Sequence, residues 1–452
     1  MIEQLRALKE IVDILHEESD IRAALQGALS RLVELMHLRT GWIFVSDPSA
    51  TGSWYGPGFI LMAHHNLPEA MQLDREEAWL GACECQRRCA RGLLTEGNNL
   101  VQCSRLNAVL FDQVGLAVHA SAPLRAGDHL LGILNVAAAH WQAFTPEALA
   151  LFDNVGQQMA VALERARLLG MLEARQARMD EELQVARQIQ LSLLPGRFPA
   201  VPGWEFGASY RPARVVGGDF YDFFYLPGAP LRLGVVIADV ADKGVPAALF
   251  MAMSRTTLRT ASLGGRRPAS ALTRANSMIQ DESHADVFLT VAYAAVELST
   301  GRMILANAGH NRPLWWRAAT GECAEIVTRG MLLAAFEEID LEEREAPLGL
   351  GDLVLFYSDG VTDALNRNGE AFGEQRLSAV LNERSRDGAA AVVQGVLDAL
   401  DAFRDGAEQA DDVTMVAIKR NPNLPSQALP EDWTQAAFPS QQIPAYVRRR
   451  AV

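Results

Sequence analysis

Four acidic residues stand where runs of apolar and β-branched residues begin or end. Asp219 follows Val215-Val216-Gly217-Gly218, and Asp239 closes the run Gly234-Val235-Val236-Ile237-Ala238. Asp359 follows Leu353-Val354-Leu355-Phe356-Tyr357-Ser358, and Asp411, with Asp412 beside it, opens Val413-Thr414-Met415-Val416-Ala417-Ile418. Taken singly, an Asp next to Gly is ordinarily a turn former. Four of them at four strand edges make a different statement, because an ionised carboxylate at a buried strand terminus loses several kcal/mol of hydration unless something compensates it. Converging carboxylates call for a cation, and an all-oxygen donor set selects Mg²⁺ or Mn²⁺ over zinc. Two such ions about 3.5–4 Å apart can clamp a phosphoryl group for in-line attack by water. The chemistry expected of these residues is therefore phosphomonoester hydrolysis without a covalent intermediate.

The segments that must position these acids read as short strands with helices between them. From Phe206 onward the pattern is one of β-branched and aromatic runs separated by turns, and Ala247 to Ala261 reads as a helix. Asn307, Gly309 and His310 read as a tight Asn-Gly hairpin turn in which His fixes a carbonyl, with catalysis by His310 as the alternative. Upstream, residues 1–19 carry Leu5, Leu8, Ile11, Val12 and Leu15 at helical spacing, and Asp20 is an N-cap for a second helix with Leu25, Ala28, Leu29, Leu32 and Leu35. Gly41 to Val45 reads as a buried strand and Phe59 to Ala63 as a second. Ala120 to Leu124 and Leu130 to Val136 form a hairpin about Gly127-Asp128. Thr145, Pro146 and Glu147 supply an N-cap, a first-turn proline and an early acid for a long helix. Residues 160–194 contain no proline and stay in helical register, so that helix is expected to continue to Pro195. Leu172, Met179, Ala186 and Leu193 at one heptad position, with Leu168 and Ile189 at the other, form a coiled-coil seam interrupted by Arg175 and Glu182.

Composition narrows the class. At 452 residues the chain is long enough for two domains, and 49% apolar with 21% charged residues is globular. Forty-one basic against fifty-five acidic residues give a net charge of −14, which argues against a nucleic-acid partner. No stretch reaches the roughly 18 apolar residues that cross a bilayer, and the N-terminus carries no signal-peptide pattern, so a cytoplasmic protein without a membrane partner is expected. Of the five cysteines, Cys83, Cys85, Cys89 and Cys103 follow C-x-C-x3-C-x13-C. The cluster is either a zinc or Fe–S site or a set of partly buried thiols, since the usual C-x2-C knuckle is missing.

The wording around the acids resembles the SpoIIE-like, PPM-type serine/threonine phosphatases of bacterial stress and sporulation signalling. Those proteins share GGDxYD, DVxxxGxPAALxM, NAGHNxPL, DGxxxAxN and DDxT. Here these are Gly217 to Asp222, Asp239 to Met251, Asn307 to Leu314, Asp359 to Asn366 and Asp411 to Thr414, within residues 195–420. The resemblance implies two Mn²⁺ or Mg²⁺ ions held by Asp219, Asp239, Asp359 and Asp411 with the Val240 carbonyl, and Asp239 as the bridge. It gives Asp412 a lesser place among the ligands, and Asp222, Asn307 and His310 places behind them. Lys243 stands where many relatives have His, which puts a general-acid role there in doubt. The implied substrate is a phosphorylated STAS-type anti-anti-sigma protein. A catalytically inactive partner-binding module is the alternative; the loss of a core acid would be its mark, and none is lost.

Two short matches point elsewhere and fail. Gly217-Gly218-Asp219-Phe220 lacks the Glu-Phe that would complete a diguanylate cyclase signature. Cys85 and Arg91 have the spacing of cysteine phosphatases but no Gly-rich loop between them, and Glu84 disfavours a thiolate. Over residues 20–165 the order of helix, strands, hairpin and closing helix, with Pro123-Leu124 before the turn and Gly132-Ile133-Leu134 after it, resembles a GAF domain. That resemblance implies a ligand or redox sensor that often dimerises. The expected architecture is an α/β and α+β multidomain chain. It comprises an N-terminal helix (1–19), a GAF-like sheet with helices (20–165), a helical coiled-coil linker (166–194), a PPM-type αββα sandwich (195–420) and a flexible tail (421–452). A homodimer, with rotation along the linker completing the metal site, is the expected mode of control.

Overall fold

A computed structural model describes residues 2–47, 58–72, 79, 81–94, 99–102, 116, 118–228, 230–282 and 287–421. Cys103 and the proline-containing tail after residue 421 lie outside them. The chain divides into two compact units, Met1–Arg178 and Met179–Val452.

The first unit begins with α1 (Ile2–Glu17) and α2 (Ile21–Leu35), followed by β1 (Thr40–Ser46) and β2 (Phe59–His65). Next come α3 (Glu84–Ala90), β3 (Asn99–Gln102), β4 (Val118–Ala126), β5 (His129–Ala138) and the start of α4 (Pro146–Leu193). Local signals set the boundaries. Asp20 Oδ1 accepts from the Arg22 amide at 2.9 Å, and Thr145 Oγ1 accepts from the Ala148 amide at 3.2 Å. The strands form one antiparallel sheet in the order β2-β1-β5-β4-β3. Alternation along β1 divides its side chains between two cores. Ile43 joins α2 and the first turns of α4 through Leu25, Leu29, Phe152, Val155 and Met159. Trp42 and Phe44 face a second cluster with Phe59, Trp79, Cys83, Cys85 and Cys89. Gly132 is required where β5 crosses β1, because a Cβ there would sit 2.3 Å from the Phe44 carbonyl oxygen.

In the second unit the end of α4 leads to β6 (Trp204–Arg211), β7 (Phe220–Leu226), β8 (Arg232–Val240), α5 (Val245–Ser262) and α6 (Pro268–Glu282). There follow β9 (Leu289–Glu297), β10 (Arg302–Ala308), β11 (Leu314–Arg317), β12 (Glu322–Glu325), β13 (Glu343–Pro347) and β14 (Leu353–Tyr357). The short α7 (Asp359–Thr362), α8 (Gly373–Arg384), α9 (Ala389–Arg404) and β15 (Val413–Arg420) complete it. Two antiparallel sheets, β13-β10-β9-β8-β7 and β12-β11-β14-β15-β6, stack face to face. Val354, Phe356, Val416 and Ile418 point into the inter-sheet core, whereas Leu353, Leu355, Met415 and Ala417 meet α8 and α9 on the other side. Residues of α5 and α6, among them Met251, Leu258, Leu272 and Ile279, cover the first sheet. The result is an αββα sandwich, as the sequence led us to expect.

One local expectation is corrected. Asn307-Ala308-Gly309-His310 is not a hairpin between paired strands, because β10 and β11 belong to different sheets. The segment carries the chain across the sandwich, with Gly309 at φ +75°. The Asn307 carboxamide holds the crossing, its Oδ1 accepting from the His310 amide at 2.7 Å and its Nδ2 donating to the His310 carbonyl at 2.9 Å.

Candidate active site

The four acids come as two pairs, each set by neighbouring strands of one sheet. In the first sheet Phe220 pairs with Ala238, which sets Asp219, just before β7, beside Asp239 at the end of β8. In the second, Tyr357 pairs with Met415, so Asp359 beyond β14 and Asp411 before β15 lie at one edge. The four carboxyls feel one another across the sandwich. Burial, the adjacent Asp239 and then Asp412 hold the Asp219 carboxyl well above the usual carboxylate range. Burial and the Asp359 charge push Asp239 up to about 7. Asp359 is raised by burial, by Asp411 and by Asp363, an acid the sequence reading did not single out.

The glycine pair before Asp219 is there for space. A Cβ on Gly217 would overlap the Asp412 carboxylate and the Tyr210 hydroxyl, and one on Gly218 would lie 2.9 Å from the Val240 carbonyl oxygen. That contact brings the Val240 carbonyl to the Asp219 loop. Asp412 uses both oxygens on backbone: Oδ1 accepts from the Ala213 amide at 2.7 Å, and Oδ2 from the amides of Gly218 at 2.8 Å and Asp219 at 3.3 Å. Its visible work is to hold the loop that carries Asp219. Gln190, near the end of α4, holds the same loop from the other side, its Nε2 donating to the Gly217 carbonyl at 2.6 Å. Nothing in the spacing of Ile189-Gln190-Leu191 announces that contact.

Asp222 lies on β7 with its carboxylate against α5, 3.0 Å from the Arg255 guanidinium and 3.6 Å from that of Arg259. It ties helix to sheet and is engaged by arginine. Lys243 sits in a tight connection between β8 and α5, with Asp242 at φ +86° and Gly244 at the same angle. Its ammonium reaches Asp411 Oδ2 at 3.0 Å and donates to the Ala410 carbonyl at 2.8 Å. His310 is buried, its Nδ1 2.7 Å from Thr290 Oγ1, and Thr290 is the register partner of Asp239. Burial pushes the His310 imidazole down to about 3, so it is neutral at physiological pH and packs behind the acids.

Among the described residues no three carboxylate, imidazole or thiol side chains already close into a cation cage. The fit to a divalent cation therefore rests on the chemistry of the donors. Asp219 Oδ2 is buried without a hydrogen-bond partner, and burial with like charge raises the Asp219, Asp239 and Asp359 carboxyls. Asp219, Asp239, Asp359, Asp411 and the Val240 carbonyl are the oxygens available to such an ion. The N-terminal cysteines do not repeat the pattern. Cys83, Cys85 and Cys89 are buried thiols in the Trp42–Phe44–Trp79 cluster, with Cys83 Sγ 2.7 Å from Cys85 Sγ, and burial pushes Cys89 up to about 11. Cys103, the fourth of the set, lies outside the described residues.

Comparison with known proteins agrees with this division. Residues 230–421 match the family Stage II sporulation protein E (SpoIIE), and residues 18–164 match the GAF domain family. The chain is 31% identical to Protein IcfG of Synechocystis sp. over 269 residues, which is 53% of this chain and 42% of that protein. It is 27% identical to phosphoserine phosphatase RsbU of Bacillus subtilis over 246 residues, 54% of this chain and 72% of RsbU. It thus spans less than half of the cyanobacterial relative. Among solved structures, the SiaA-PP2C domain of Pseudomonas aeruginosa is similar with a TM-score of 0.49 at 24% identity, covering 54% of this chain and 98% of that domain. The SpoIIE match begins past Asp219, whose place in the set rests on its geometry beside Asp239 and Asp412. The two matches follow one another along the sequence, so in this chain a stretch similar to the GAF domain family precedes one similar to the SpoIIE family.

Proposed function

We propose that the second unit is a metal-dependent protein serine/threonine phosphatase acting on a phosphorylated STAS-type anti-anti-sigma protein, under control of the GAF unit. The observation that carries the reading is the set of mutually repelling acids at the ends of β7, β8, β14 and β15, with a buried, unpartnered oxygen on Asp219. Asp219, Asp239, Asp359, Asp411 and the Val240 carbonyl would hold Mn²⁺ or Mg²⁺. Bound there, the ions supply positive charge for a phosphoryl group and activate water. The residues of the chain do the rest. Asp412 and the glycine pair fix the Asp219 loop, the Asn307 clamp keeps neutral His310 behind Asp239, and Lys243 screens Asp411. A relative named as a phosphoserine phosphatase supports phosphoserine as the class of substrate.

Phosphate release from a phosphorylated STAS protein, followed with and without Mn²⁺, tests the reading. The wild-type chain should release phosphate only with the metal. Asp239→Asn should be slower by about 10²–10³-fold, the usual cost of removing one preorganised electrostatic group. Equal rates for the two would mean that the unit binds its partner without hydrolysing it.

A further inference from the structure

We propose that Gln190 is a positioning residue for the Asp219 loop, through which the end of α4 sets the affinity of the site for its metal. The inference rests on the functional reading above and adds to it a residue outside the acidic motifs.

Gln190 is 4% exposed, while its neighbours Ile189 and Leu191 are exposed apolar residues on the same helix. Burying a carboxamide in place of an apolar side chain is unfavourable unless its polar atoms are paired. Here they are. Nε2 donates to the Gly217 carbonyl at 2.6 Å, and Oε1 accepts from the Gly217 amide at 3.2 Å and from the Tyr210 hydroxyl at 3.3 Å. Gly217 lies outside the strand ladder, ahead of β7, so this side chain supplies partners for both of its backbone groups. From the opposite side Asp412 takes the amides of Gly218 and Asp219. The three residues 217–219 are held between one side chain just ahead of β15 and one from a helix. Turning the helix by one residue swings a side chain through about 100°, which would carry the carboxamide off Gly217. The Asp219 loop would then keep only its Asp412 half.

The test compares the full-length chain with Gln190→Met, which keeps length and helix propensity but makes neither bond, and with Gln190→Asn, whose amide falls one methylene short. Mn²⁺ binding is read directly from the magnetic-resonance signal of the free aqueous ion, and phosphate release is titrated against Mn²⁺ in parallel. Both variants should bind Mn²⁺ about tenfold more weakly, the usual loss when an outer partner of a metal ligand is removed. Phosphate release should recover at saturating Mn²⁺. Binding curves that superpose on the wild type, or a fall in turnover that Mn²⁺ does not relieve, would overturn the proposal. If Gln190→Met does not fold, Gln190→Asn, which keeps the buried position polar, decides. A wild-type chain that binds Mn²⁺ without releasing phosphate would count against the phosphatase reading, and the comparison of binding would still stand.

Discussion

At the scale of single residues, the acids do opposite things to the fold and to the site. Asp239 is pushed up to about 7, and Asp219 and Asp359 are raised with it, because burial and like charge disfavour the ionised forms. A group whose pKa is higher in the folded chain contributes stability below its unfolded value, near 4, and that contribution is lost as pH rises through about 7. The metal-free protein should therefore lose thermal stability from about pH 5 to about pH 8 through this cluster, and Asp239→Asn should lose less. Metal binding has to displace the same protons, so Mn²⁺ affinity should rise about tenfold per pH unit for each proton released below about pH 7. Calorimetry of the two chains across that range checks both signs, and parallel stability profiles would exclude Asp239 as their source. The acids themselves were legible because each stands where an apolar run begins or ends. The division of labour among them was not: Asp411 and Asp412 are adjacent in sequence, yet Asp412 turns to three backbone amides and Asp411 to Lys243. Which way a carboxylate faces depends on strand partners far along the chain.

At the scale of elements, α5 is anchored to β7 by an ion pair as well as by apolar packing. The Asp222 side chain is 3% exposed and that of Arg255 12%, and burial raises the Asp222 carboxyl even with two guanidinium groups beside it. A buried pair of this kind contributes little net stability when intact, but losing one partner strands the other. Arg255→Met should destabilise the second unit by about 3 kcal/mol, since Arg259 at 3.6 Å is a poorer partner. Asp222→Leu combined with Arg255→Met should recover most of that loss. Urea unfolding at constant slope measures both, and a double variant no more stable than Arg255→Met alone would refute the pairing argument. Elements whose signals are local were readable in advance: the Asp20 and Thr145 caps, the Gly127-Asp128 hairpin and the run of α4 to Leu193. The step from β10 to β11 was not, because a turn between strands of one sheet and a crossing between two sheets use the same Asn and Gly. Only the strand pairing tells them apart.

At the scale of the whole molecule, α4 raises the question of what covers its apolar residues. The helix runs for 48 residues, and Leu168, Leu172, Met179 and Ile189 all stand exposed along it, Leu172 at 63%. Large apolar side chains repeated on one solvated helix favour burial against a second helix, and their near-heptad spacing selects a parallel or antiparallel pair over a globular partner. Arg175 and Glu182 interrupt the seam at the same heptad position as Leu168 and Ile189. Charged residues at such a position weaken a coiled coil while narrowing the choice of register. Two chains paired along α4 should therefore form a dimer that dissociates on dilution. Leu172→Glu, which places a charge at the centre of the seam and touches neither folded core, should leave a monomer with its thermal stability unchanged. Light scattering of the eluted protein across a concentration series distinguishes the two, and a wild-type chain that stays monomeric at every concentration would remove the dimer and, with it, control by rotation along the helix.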